Sequence, residues 1–271
     1  MKRYILTLVA LMVAVDSLWA FNHTTCEVAS RVMNKGVPVV VITPENYSPR
    51  SDARYDVVYL LHGYSDNHTS WHERLGVGRY ADLYNLIIVC PHGNNSWYWD
   101  SPADPAYRYE TFVVEELVGW VDANYHTNAH RSGRAITGNS MGGHGALYLT
   151  LRHLETFGAV GSTSGGVDIT PFDDWEIAQR LGSKEVYPER WEEYTVTNML
   201  HLAPTDGSLA MVIDCGTEDF FYDVNCELHR KLSERGVPHD FTVRPGSHNW
   251  HYWRTSIAYQ MLFFDNFFEN N

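Results

Sequence analysis

The chain predicts an α/β fold, a mostly parallel sheet with helices on both faces. Three observations lead there. Short apolar runs rich in β-branched residues recur along the chain, segments of helical periodicity separate them, and the later runs end near Gly, Pro or Asn, as buried strands do before a loop. The 271 residues, 44% of them hydrophobic, suffice for one large core and are too few for two comfortable enzyme domains.

Residues 1–20 stand apart from that fold. Lys2 and Arg3 precede an apolar run over 5–15, which ends in Ser17-Leu18-Trp19-Ala20. A basic start, a short apolar core and a small final residue describe a secretory signal peptide, so a secreted or periplasmic protein is expected. The run is short for a bilayer span and Asp16 interrupts it, so no stable membrane association is expected after cleavage. Residues 21–271 then form a single catalytic domain.

Within that domain strands are expected at 37–42, 57–61, 86–90, 135–137, 159–162, 210–214 and 241–243. Helical segments fall between and after them. The stretch 110–125 puts Phe112, Val113, Leu117, Val118 and Val121 on one face, and 141–153, 224–234 and 255–268 follow. Residues 165–201 break the rhythm with Pro171, Trp175, Tyr187, Pro188, Trp191 and Tyr194, and read as a cap-like insertion above the sheet. Of the four cysteines, Cys90 and Cys215 end apolar strand runs, where a buried free thiol is common; Cys215 with Cys226 is the pair best placed for a bridge.

Charge excludes one class of partner. With 33 acids against 20 bases the net charge is −13, which repels a phosphate backbone, so nucleic acid is not an expected ligand.

The residues that carry chemistry begin at Gly138-Asn139-Ser140-Met141-Gly142-Gly143, a G-x-S-x-G between an apolar strand and a helix. In such a turn the flanking glycines remove a Cβ clash, the serine Oγ is pushed clear of the backbone, and the next amide sits at a helix N-terminus where an oxyanion is welcome. Ser140 is therefore the candidate nucleophile and Met141 a candidate oxyanion donor. A serine hydroxyl needs a base, expected late in the chain. His248, in a loop after the last strand, is the candidate, with His251 as competitor. The acid is expected after the preceding strand, where Asp219 is favoured as the shorter arm over Glu218, and Asp214 is a third choice inside the strand. A second oxyanion donor belongs after an early strand, and Leu60-Leu61-His62-Gly63-Tyr64 fits, with the Tyr64 amide in that role and His62 bracing the loop. His248 and His251 have no Asp/His cluster to share a metal with, and no cofactor is expected. The expected chemistry is acyl transfer through an acyl-enzyme.

On these residues the sequence resembles the esterase D-like branch of the α/β hydrolases, which includes the feruloyl and acetylxylan esterases of carbohydrate esterase family 1, S-formylglutathione hydrolases and mycolyltransferases. The likeness rests on Leu60-Leu61-His62-Gly63 with Trp71 downstream, on Gly138–Gly143, on Asp214-Cys215-Gly216-Thr217-Glu218-Asp219, and on Pro245-Gly246-Ser247-His248-Asn249-Trp250 with Trp253. It runs from about residue 37 to the C-terminus. It implies an α/β-hydrolase fold, a triad at Ser140, Asp219 and His248, and oxyanion amides at Tyr64 and Met141. The exported start fits the secreted feruloyl esterases better than the cytosolic formylglutathione enzymes.

For substrate, Trp97-Tyr98-Trp99 follows the strand at 86–90, hence lies at the catalytic end of the sheet. Trp97 and Trp99 are expected to stack on a sugar or cinnamoyl ring, with packing of the loop onto the core as the alternative. Trp175, Trp191 and Tyr194 carry the same two readings. The insertion also holds Asp173, Asp174, Glu176, Glu189, Glu192 and Glu193, a surface suited to a polar sugar rather than an acyl tail. The expected reaction is hydrolysis of a carboxylic ester, in a small ester or an esterified polysaccharide of the plant cell wall bearing hydroxycinnamoyl or acetyl groups. The alternatives are a short-chain acyl esterase with another alcohol component and a non-catalytic carbohydrate-binding relative, against which the intact serine, acid and histidine argue.

Overall fold

A computed structural model describes residues 20–271; apart from Ala20, the segment read as a signal peptide lies outside the described residues. Eight strands, β1 (Asn22–Ser30), β2 (Lys35–Thr43), β3 (Val57–Leu61), β4 (Ile87–Pro91), β5 (Arg134–Gly138), β6 (Ala159–Thr163), β7 (Ala210–Gly216) and β8 (Asp240–Arg244), form one sheet. Their order is β1-β2-β4-β3-β5-β6-β7-β8. β2 runs antiparallel to β1 and β4, and every pairing from β4 to β8 is parallel. The seven expected strands all form. β1 is the addition: an edge strand whose first four residues are exposed, paired along its full length with β2 from Asn22 opposite Thr43 to Ser30 opposite Lys35.

Burial on both faces explains the continuous apolar runs. In β3 every side chain is buried, and alternation sends Val57, Tyr59 and Leu61 to one face and Val58 and Leu60 to the other. The first face is covered by the helix over 109–124, by Met141–Arg152 and by Tyr222–Glu234. The second is covered by Ser70–Leu75, Gly78–Tyr84 and Trp250–Glu269. The helix over 109–124 carries a π-helical stretch, Phe112–Leu117, yet still buries Phe112, Val113, Leu117, Val118 and Val121.

Residues 165–201 hold two short helices, Ile177–Leu181 and Pro188–Glu193, and 3-10 turns. All four cysteines are free, with Cys90 and Cys215 buried; no bridge joins Cys215 to Cys226. Burial pushes the thiol pKa values of Cys26, Cys90 and Cys215 upward.

The parallel strands aim their C-terminal ends at one edge of the sheet, so the segments after β3, β4, β5, β7 and β8 meet there. The last helix holds the opposite face through residues such as Phe264, which is fully buried, while Leu262 on its outer side is 47% exposed. Phe264→Ala is expected to lower the unfolding free energy by about 3–5 kcal/mol. Leu262→Ala should change it by no more than roughly 0.5 kcal/mol, both read from urea denaturation.

Candidate active site

Ser140 stands at the sharpest point of the chain between β5 and the helix Met141–Arg152. Its backbone has φ 56° and ψ −119°, a conformation that costs a non-glycine residue about 1–3 kcal/mol. Two hydrogen bonds hold it there: the Ser140 amide donates to Thr163 O (2.9 Å) and the Gly142 amide to Asn139 O (2.7 Å). The turn presses on the end of β3. A Cβ on Gly138 would lie 2.5 Å from Leu61 O, and one on Gly142 would lie 2.3 Å from it. Only glycine fits either position.

The loops after β7 and β8 bring an acid and a base to this serine. His248 Nε2 lies 2.9 Å from Ser140 Oγ, and His248 Nδ1 lies 2.9 Å from both oxygens of Asp219. A carboxylate only accepts, so Nδ1 carries the proton and Nε2 is left to accept the serine O–H. The Asp219 side chain is wholly buried and also accepts the Phe221 amide (2.9 Å). The other carboxylates point elsewhere. Glu218 is exposed and accepts from Ser247 Oγ (3.2 Å). Asp214 is buried between Arg244 (2.6 Å) and Ser256 Oγ (2.7 Å), where it anchors β7 to β8 and the last helix. His251 is exposed and makes no contact with the serine.

The loop after β3 completes the arrangement. A Cβ on Gly63 would stand 3.4 Å from the Ser140 Cβ, so this loop abuts the serine directly. Among the described residues neither the Tyr64 nor the Met141 amide donates to a protein acceptor, which leaves both free for an oxyanion. His62 itself points away from the chemistry. Its Nδ1 donates to Gly63 O and its Nε2 accepts the Gly93 amide, each at 2.8 Å. Burial, with His92 and His68 adding to it, pushes its pKa down to about 3, so it stays neutral and can serve as donor and acceptor together. Trp71 Nε1 donates to Leu61 O (3.0 Å) and Tyr98 Oη to His62 O (3.1 Å), fixing the same loop from two sides.

The serine opens onto a cleft of about 170 Å³, lined by Gly63, Tyr64, Asp66, Trp97, Ser140, Trp175, Phe220, Phe221, His248 and Trp253. Here the expected pair of tryptophans divides. Trp97 reaches the cleft, with its Nε1 donating to Trp175 O (3.1 Å). Trp99 does not: it is fully buried beneath Trp97, stacked at 5.4 Å between ring centroids, and donates to His144 Nε2 (2.9 Å). Its assignment to substrate binding is corrected to a core role. His144 relays the contact, its Nδ1 donating to Gly166 O (2.8 Å), and burial pushes its pKa down to about 4.

Within the insertion only Trp175 lines the cleft. Trp191 is buried against Gly182 O, and Tyr194 stacks on Tyr148. Phe220 and Phe221 line the cleft without having been singled out in the sequence, and Trp253, noted there only for the family resemblance, lines it too. Phe220 is 54% exposed yet packs against both His248 (4.2 Å between centroids) and Trp175 (5.8 Å). A pair of aromatics immediately after the candidate acid was the available signal.

A family model described as Esterase matches residues 30–264. The chain belongs to the Esterase family. An Esterase-family likeness extends to a Mycobacterium tuberculosis esterase, 28% identical over 258 residues, covering 85% of this chain and 55% of the relative. The chain thus spans about half the length of that curated relative (55%). An acetyl esterase of Caldicellulosiruptor saccharolyticus is 25% identical over 256 residues, 84% of this chain and 92% of the relative. A solved ferulic acid esterase superposes with a TM-score of 0.79 at 30% identity, covering 92% of this chain and 99% of that one. The fold is that of the α/β hydrolases.

The two buried neutral histidines make stability depend on pH. His62 and His144 titrate near 3 and 4 in the folded chain against 6.5 for an unperturbed histidine, so between those values the unfolded chain binds more protons. Their contribution is full above pH 6.5 and is lost as pH falls through the folded values. The urea midpoint should therefore decline below pH 6.5, and His144→Asn, though less stable at neutral pH, should show a shallower decline.

Proposed function

We propose that the chain is a secreted serine carboxylic-ester hydrolase that works through an acyl-enzyme. The unbroken chain from Asp219 through His248 to Ser140 Oγ, with 2.9 Å at each link, carries this reading. Ser140 Oγ attacks the ester carbonyl while His248 Nε2 takes its proton, and Asp219 holds the ring and balances the imidazolium. The carbonyl oxygen becomes an oxyanion held by the Tyr64 and Met141 amides. Collapse of this intermediate expels the alcohol, which takes the proton back from His248. Water then repeats the sequence on the acyl-serine and frees the acid.

The proposed substrates are sugar esters of the plant cell wall, with hydroxycinnamoyl or acetyl as the acyl group. Trp97, Trp175, Phe220 and Trp253 around the cleft suit a flat ring, the acidic insertion suits a polyol, and relatives include an acetyl esterase and a ferulic acid esterase. The small cleft of about 170 Å³ favours a second reading, a short-chain acyl esterase with another alcohol component. Export rests on the basic start and apolar run of residues 1–20. No described helix is long and apolar enough to cross a membrane.

Ser140→Ala is expected to reduce kcat on the order of 10⁶-fold with the fold intact. A purified variant that keeps a tenth of the activity on p-nitrophenyl acetate would refute the nucleophile. Asp219→Asn should cost roughly 10⁴-fold in kcat by misorienting the base, while Glu218→Gln costs little; the opposite ranking would move the acid.

The substrate is tested by comparing methyl ferulate, acetylated xylan, p-nitrophenyl acetate and a long-chain triglyceride. If Trp175 stacks on the acyl ring, Trp175→Ala raises KM for methyl ferulate and spares p-nitrophenyl acetate. Equal losses on both would mean that Trp175 only supports its loop. Fastest turnover of the triglyceride would overturn the polysaccharide reading and leave the serine chemistry standing.

A further inference from the structure

The Tyr64 amide has to face Ser140, yet the segment that carries it belongs to no helix or strand. On its N-terminal side His62 fixes the chain. On its C-terminal side Ser65 takes a left-handed φ of 63°, and its amide donates to Asn95 Oδ1 (2.9 Å). The remaining tether comes from the insertion. Tyr64 Oη donates to Glu176 Oε1 (3.3 Å), and the same oxygen accepts from Asn95 Nδ2 (3.3 Å). One carboxylate oxygen therefore gathers both groups that hold the 64–65 turn.

Glu176 is itself firmly aimed. Trp175 and Glu176 have successive left-handed φ values of 56° and 58°, a strained pair that turns the carboxylate back toward the loop after β3. Arg180, 5% exposed, bonds Glu176 Oε2 through Nη2 (2.7 Å) and Asn95 O through Nε (3.1 Å), and its guanidinium lies 3.4 Å from the centre of the Tyr107 ring. The arginine also offsets a negative charge that would otherwise oppose an oxyanion nearby. Burial and the facing carboxylate raise the Tyr64 pKa, so the phenol keeps the proton it donates.

We infer that Glu176 is a positioning residue: through the Tyr64 phenol and Asn95 it sets the direction of the Tyr64 amide and thereby the strength of the oxyanion site. This rests on the serine-esterase reading. A group acting this way affects the tetrahedral state more than the bound ester, so its loss appears in kcat and not in KM.

The test compares Glu176→Ala, Glu176→Gln, Tyr64→Phe and the double variant Glu176→Ala/Tyr64→Phe on p-nitrophenyl acetate, with thermal melts to verify folding. An aryl trifluoromethyl ketone, whose adduct with the serine carries an oxyanion, serves as the second readout. Glu176→Ala should lower kcat by roughly 10-fold with KM held within about twofold, and weaken the ketone by a similar factor. Glu176→Gln, which keeps an acceptor for the phenol, should recover most of kcat, and the double variant should fall no further than Glu176→Ala. If Glu176→Ala does not fold, Tyr64→Phe carries the test, with a smaller loss in the same direction. Unchanged kcat in a folded Glu176→Ala, a rise in KM alone, or losses that multiply in the double variant would each overturn the inference. Should wild type turn over the ester and Ser140→Ala not, such a failure is the inference's alone; a wild type that neither hydrolyses esters nor binds the ketone removes the esterase reading beneath it.

Discussion

The close approach of two backbones, at the end of β3 and at the turn after β5, is the constraint on which the rest of the site depends. β3 and β5 are neighbours in the sheet, with Leu61 opposite Gly138. Their continuations touch with no side chain between them at Gly138 and Gly142. The two candidate oxyanion amides, Tyr64 and Met141, each stand three residues beyond that pair. Sheet register therefore sets the relative position of two groups that are 77 residues apart in the chain. A slip of one residue between these strands would separate them and reverse every core side chain of β3.

Around this contact the protein uses histidine as a connector. Fourteen histidines invite a search for metals or many bases. His62 and His144 are instead buried, neutral and bonded at both ring nitrogens, His62 tying the loop after β3 to the loop after β4 and His144 tying Trp99 to Gly166. A neutral imidazole offers one donor and one acceptor at fixed directions, which suits the joining of two loops that share no ladder. His248 differs from them in its partners and its exposure: it lies at the cleft between the Asp219 carboxylate and a serine hydroxyl.

Most of this architecture was legible because burial on both faces of a parallel sheet leaves unmistakable apolar runs, and because a strand–turn–helix with flanking glycines has few other uses. What was not legible has physical reasons. β1 is polar and exposed at its start, and its stability comes from nine paired residues against β2, which no hydrophobic pattern records. The helices Ser70–Leu75 and Gly78–Tyr84 are too short, at six and seven residues, to establish a period. Trp97 and Trp99 look equivalent in sequence and both are buried, yet only Trp97 forms part of the cleft wall, while Trp99 packs behind it against His144. The adjacent acids Glu218 and Asp219 diverge for a related reason: the turn that bonds the Asp219 amide to Gly216 O directs one carboxylate inward and the other to solvent.

The unpaired thiols bear on what holds the folded chain together. Cys90 and Cys215 contribute as small apolar side chains within the sheet, and burial keeps them in the unreactive protonated state. Among the described residues the fold contains no covalent cross-link. The folded core is thus held by packing and hydrogen bonds, and a thiol reductant finds no cross-link in it to break.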